Sequence, residues 1–233
     1  MKTSFSLNEN QRLRPQIPAD QATRQPKFGA ALTTATKHAN VLVRNENPIL
    51  IDERTWPDAP PPLPADRWDD EVDKALAGLV SDEQRDPEKV SNLIGTLARH
   101  PKLARPYLRY SFYLLYSSTL PDRVRELAIL RVAHQTGSEY EWAQHVNLGR
   151  QVGLTDDEID AVTRGEAGDD FERAVLIAAD ELLEKYNLSD ATWSALSERL
   201  EERQLMDLMF TIGSYAALAM AFNTFGVELD KET

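Results

Sequence analysis

Residues Asp122 to Gly153, DRVRELAILRVAHQTGSEYEWAQHVNLGRQVG, constrain the fold more than any other stretch of this 233-residue chain. They read as a helix, a Gly-containing turn and a second helix. Leu127, Ile129, Leu130, Val132 and Ala133 leave the first helix little room for a solvated face, so it has to be packed in an interior. Glu126 sits at helical spacing from Ile129, Leu130 and Ala133 and points inward with them. In the second helix Glu141, His145, Leu148 and Val152 share one face, with Trp142, Val146 and Gly149 on the neighbouring stripe. Glu126, Glu141 and His145 therefore converge on apolar surroundings, where an ionisable group is costly unless it is paired, hydrogen-bonded or neutralised.

Two readings of these residues stand. In the structural one, Glu126 pairs with Arg123 or Arg131, and Glu141 with His145 at the favourable i, i+4 spacing. In the functional one, two carboxylates and an imidazole form an acid-base set, since perturbed titratable groups in apolar surroundings mark active sites. His145 is then the proton donor or electrostatic stabiliser, Glu126 orients it, and Glu141 tunes the pair. Ser138, Tyr140 and Trp142 beside them are candidates for substrate contact. A mixed carboxylate and imidazole metal site that adds His134 is the rival chemistry, but the spacing is not that of a dedicated metal motif, and no metal or cofactor is expected. His134, near the end of the first helix, also suits a favourable C-terminal cation, and His38 and His100 read as surface or turn residues.

The remainder of the chain divides at about Pro62. Residues 1–62 form an irregular extension in which Pro15, Pro18, Pro26, Pro48, Pro57 and Pro60 to Pro62 forbid a continuous helix. A short helix over Phe28 to Val43 and extended segments in VLVRNENPILID are expected there. Its apolar side chains suit wrapping a neighbouring subunit or covering part of the site. Residues 63–233 read as helices without strand alternation, so the core is all-α. Asp66 is expected to cap the first helix and Asp86-Pro-Glu to start the next. A helix through Tyr116, with Pro106 early in it, is rich in aromatic residues. Thr155-Asp-Asp-Glu158 is a capping box by type and spacing. A helix over Phe171 to Tyr186, one capped by Ser189 and a last one from Gln204 to Phe222 complete the domain.

Composition narrows the function. With no cysteine, disulfide staples, thiolate metal sites and thiol peroxidase chemistry are excluded. A net charge of -12 argues against nucleic-acid and anionic-membrane partners. The most apolar run, Ala216 to Phe222, is shorter than a bilayer span. A polar opening without an apolar signal core points to the cytoplasm.

RELAIL, a turn and YEWAQH resemble the carboxymuconolactone decarboxylase and alkylhydroperoxidase D family. Aligned on the family His, His145 and Glu126 match its His and Glu, while Ser138 and Glu141 take the places of the two cysteines of the peroxidase branch. SYAALAMAFNTFGVELD is similar to the family's closing helix, so the resemblance spans about Pro64 to Asp230. It implies an alkylhydroperoxidase D-like helical bundle assembled as a homotrimer or hexamer, and a pocket near the aromatic helix that Tyr215 and Asn223 reach. With no thiol, it further implies the lyase branch: decarboxylation or isomerisation of a small cyclic or lactone carboxylate. A catalytically silent oligomeric binding or scaffold protein is the alternative.

Overall fold

The computed structural model describes residues 61–230, together with two-residue strands β1 (Val41–Leu42) and β2 (Ile49–Leu50), which pair antiparallel with Val41 opposite Leu50. The chain divides into two compact units, Met1–Asp52 and Glu53–Thr233. The strands fit the extended segments expected around the Asn-rich turn. The helix expected over Phe28 to Val43, and the proposed wrapping role of the extension, lie outside the described residues.

The second unit is helical. A 3-10 turn (Ala65–Arg67) precedes α1 (Asp70–Leu76), α2 (Asn92–Leu97), α3 (Pro101–Tyr116), α4 (Asp122–Thr136) and α5 (Glu139–Gln151). Next come α6 (Asp156–Thr163), α7 (Asp170–Lys185), α8 (Asp190–Ser197) and α9 (Glu202–Phe225). Two early starts differ from expectation. Asp66 falls inside the 3-10 turn, and Asp69 is the cap of α1, its carboxylate accepting from the amides of Glu71 and Val72. Asp86 accepts from the Glu88 amide within a turn, and α2 begins after Ser91. In both places a run of acidic and polar residues offers several competing caps, and tertiary packing selects among them.

α4 is the axis of the bundle. Every residue from Val124 to Ala133 is buried, as its unbroken apolar run demands. It contacts α5, α6, α7 and α9. Gly137 ends it in the left-handed conformation (φ 65°), where glycine escapes the Cβ clash. That turn sends α5 back alongside α4, and Gly149 lets the chain beyond α5 fold close: a Cβ there would lie 3.1 Å from the Leu154 side chain. The capping box of Thr155 and Glu158 forms as expected.

Two arginines of α4 fix its surroundings. Arg123 bridges Glu158 of α6 and Glu172 of α7. Arg131 grips the Asp180 carboxylate at 2.7 and 2.8 Å and also donates to the carbonyls of Val162 and Thr163. Neither reaches Glu126. α9 is 24 residues long and passes the length and hydropathy test for a membrane span, a possibility the short run Ala216 to Phe222 did not suggest. Its most apolar window is 61% buried within the bundle, as befits a core helix.

Candidate active site

Glu126 lies wholly buried on α4 and is held on both sides. Its Oε2 is 2.6 Å from His145 Nδ1, and its Oε1 accepts from Arg125 Nε at 3.0 Å. Arg125 in turn donates to Asp122 at 2.6 Å. A carboxylate that already accepts from a guanidinium is an acceptor toward the imidazole, so Nδ1 carries the proton and Nε2 is the nitrogen left to exchange one. The Tyr215 ring meets the imidazole edge-on at 4.9 Å between centroids, which fixes its orientation.

Glu141 is different. It is 2% exposed, and neither carboxyl oxygen has a hydrogen-bond partner. The i, i+4 pair with His145 does not form; the imidazole turns to α4 instead. Desolvation pushes the Glu141 carboxyl up to about 8, against a small opposing effect of the nearby Ser138 hydroxyl, which itself makes no hydrogen bond of ordinary geometry. Placement in the first turn of α5 favours the anion, but burial outweighs it. Held there by burial, the group keeps its proton at neutral pH, and Tyr215 feels the charge of both Glu141 and Glu126.

α3 and α9 close the other side. Burial raises the Tyr215 phenol well above its usual range, reinforced by the charges of Glu126 and Glu141. Burial also raises Tyr107, which is near enough to Glu141 to feel its charge. The Tyr107 hydroxyl faces Ser111 and Ser214, yet it is buried and makes no hydrogen bond of ordinary geometry. The Tyr107 ring lines an open hollow of about 460 Å³ with Tyr110, Met209, Phe210, Gly213, Ser214 and Ala217.

The scan for known relatives agrees with this architecture. Residues 101–184 match the model of the carboxymuconolactone decarboxylase family. Over this stretch, about a third of its length, the chain is similar to that family. α3 to α7 thus carry the family segment, with the Glu126, Glu141 and His145 cluster inside it. Among solved structures, an uncharacterized peroxidase-related protein from Ralstonia eutropha with an alkylhydroperoxidase AhpD core is 19% identical. That similarity covers 74% of this chain and 93% of that one, with a TM-score of 0.61. A peroxidase-related protein from Silicibacter is 17% identical over 76% and 96% of the two chains, TM-score 0.62. The debrominase Bmp8, solved with 2,3,4-tribromopyrrole, is 12% identical over 70% and 90%, TM-score 0.57. At these identities the likeness is one of fold. No curated protein matches the chain.

Within the carboxymuconolactone decarboxylase segment and the closing helix, the structure separates the residues singled out by sequence. Glu126, His145 and Tyr215 are in contact, while the Glu141 and Ser138 side chains are buried without a hydrogen bond of ordinary geometry and the Glu141 charge reaches Tyr215. Tyr140 turns away: its hydroxyl donates to Asp230 at 2.7 Å and its ring packs on Phe222. Trp142 packs against His134 and the main core. Asn223 donates to the Thr136 carbonyl at 2.8 Å from an exposed position. These three bind the molecule together and do not face the acid. Among the described residues, no three His, Asp or Glu side chains gather at metal-binding geometry.

Sequence reasoning missed Arg125 and Tyr107. Adjacent helical residues do not normally face each other, so nothing in the spacing marked Arg125 as the partner of Glu126. Tyr107 carried a weak signal, its i, i+4 relation to Ser111 on the inner side of the aromatic helix.

Proposed function

We propose that this chain is a cofactor-free acid-base lyase, of decarboxylase or isomerase type, acting on a small cyclic or lactone carboxylate. The observation that carries the reading is Glu141: a buried carboxyl without a hydrogen bond of ordinary geometry, raised by burial to about 8, on the same helix as the His145 that Glu126 orders. Such divergent environments for neighbouring carboxyls separate an acid from a base.

In this scheme the substrate carboxylate loses CO2, and the electron pair of the broken bond spreads into the unsaturated ring as a dienolate. Glu141 then delivers its proton to carbon. His145, oriented by Glu126, carries a proton at Nε2 toward or away from the developing oxyanion. Glu141 takes the donor role that the sequence reading gave His145, because the Nδ1 proton is held by Glu126 while the raised Glu141 carboxyl has no such partner. The debrominase structure holds a small planar ring within the same fold, which accords with a cyclic substrate.

The alternative, a catalytically silent binding or scaffold protein, draws on the closed network of Asp122, Arg125, Glu126 and His145. An unpartnered Glu141 weighs against it, since a purely structural site gains nothing from that burial. In either case we place the protein in the cytoplasm as a homotrimer or hexamer, without nucleic-acid or membrane partners. The exposed apolar side chains Tyr113, Met206, Phe210 and Met220 on α3 and α9 support self-association.

Carboxylated unsaturated lactones and cyclic acids, incubated with wild type, Glu141→Gln, Glu126→Gln and His145→Ala, test the proposal. CO2 release and uptake of solvent deuterium at the product carbon are the readouts. Turnover by wild type, with folded variants slowed by about 10²-fold or more, is expected. Turnover undiminished in folded Glu141→Gln would sink it.

A further inference from the structure

Glu126, Glu141 and His145 are all buried, so a substrate needs a way in. The hollow between α3 and α9 opens to solvent, and one of its lining residues, Tyr107, feels the charge of the acid. The ring lines the hollow while the hydroxyl is buried, near enough to Glu141 to feel its charge. That hydroxyl makes no hydrogen bond of ordinary geometry, so turning the ring breaks none.

Gly213 supplies a second, independent observation. It sits in the interior of α9 without a positive φ, and a Cβ there would meet nothing within 4 Å. Neither backbone nor packing within the chain requires glycine at this place, although glycine weakens a helix interior. What its missing side chain leaves is space in the hollow. The lining carries no charged side chain, so a ligand with several charges would lose hydration without compensation. The volume of about 460 Å³ lies in the lower range of small-molecule sites and suits a single ring.

We propose that this hollow is the mouth of the Glu141 site, with Tyr107 as the side chain that turns to admit one flat unsaturated ring, neutral or singly charged. The inference rests on the acid-base reading in taking Glu141 as the destination. Tyr107 is a positioning and gating residue here, and Gly213 keeps the seat of the ring open.

The test uses 2-pyrone, a neutral unsaturated lactone ring with no titrating group, measured by calorimetry against the full-length protein. Wild type binds it. Gly213→Leu weakens binding by at least about tenfold with an unchanged or raised melting temperature. Ala217→Leu, from the same lining, does likewise and serves if the first variant fails to fold. Coupling of a water-soluble carbodiimide to Glu141, followed by peptide mass spectrometry, reads the gate without any turnover. Tyr107→Ala speeds the coupling at Glu141 by about tenfold or more, and Gly213→Leu slows it. Unchanged pyrone affinity in both leucine variants, or unchanged Glu141 coupling in Tyr107→Ala, overturns the proposal. So does a wild type that ignores pyrone while Gly213→Leu alters self-association by light scattering, which would make the hollow the seat of a second copy. Pyrone binding without turnover of any lactone acid would remove the lyase and leave the mouth standing. Turnover indifferent to Gly213→Leu would do the reverse.

Discussion

Glu141→Gln separates the stability cost of the proposed acid from everything else in the molecule. Burial holds the Glu141 carboxyl at about 8, against an ordinary value of 4.5. Between those pH values the unfolded chain has released a proton that the folded chain keeps, so stability falls as pH rises. Each pH unit costs about 1.4 kcal/mol, which gives about 3 kcal/mol by pH 7 and about 5 kcal/mol above pH 8. Against a usual total of about 5–15 kcal/mol, this is a large sacrifice. Glutamine has no proton to lose. Urea unfolding of both proteins from pH 4.5 to 9 should show the variant gaining on wild type steadily up to pH 8, then holding a constant lead. The difference between the two curves cancels every other titrating group. Parallel curves would refute the reasoning, because they would mean that Glu141 titrates alike in the folded and unfolded chain.

Other outcomes follow from the same contacts. Glu126→Gln leaves the buried Arg125 charge with Asp122 alone and should cost about 3 kcal/mol in chemical denaturation; a loss below about 1 kcal/mol would show the pair to be solvated. Tyr140→Phe removes the bond to Asp230 and should lower stability by about 1 kcal/mol, with faster amide exchange over residues 227–230 as its signature. Arg123→Ala breaks the link to Glu158, whose carboxyl the guanidinium holds down at about 2. That stabilisation is present above the ordinary Glu range and lost as pH falls through it, so the deficit of about 1 kcal/mol should shrink below pH 4 and in high salt. If the acid-base reading holds, kcat should fall as pH rises past about 8, where Glu141 loses its proton; a rate rising through that range would assign the acid elsewhere.

The bundle was legible because α4 leaves no polar face: a run such as Leu127 to Ala133 has to be surrounded, and the helices around it carry matching apolar stripes. The inward direction of Glu126, Glu141 and His145 followed from helical period alone. What periodicity could not supply was the choice of partners. His145 had a carboxylate available at i, i+4 on its own helix and took the one on α4 instead, while Arg125 bent back to its immediate neighbour. Those choices depend on the crossing of α4 and α5, which follows the turn at Gly137 and is invisible in one dimension. Tyr140 and Asn223 had suitable chemistry near the motif, yet the C-terminal segment and the end of α4 claimed their hydrogen bonds. Caps in acidic stretches failed for a related reason, since Asp66, Asp69 and Asp86 are alike until packing selects among them.

The central claim is that Glu141 is an acid at neutral pH. Carbon-13 NMR of glutamate labelled at the side-chain carboxyl, with Glu141→Gln to assign the resonance, measures this directly. The account predicts a Glu141 midpoint near 8, well apart from the ordinary glutamates. A midpoint near 4.5 would contradict it and return Glu141 to the company of structural carboxylates.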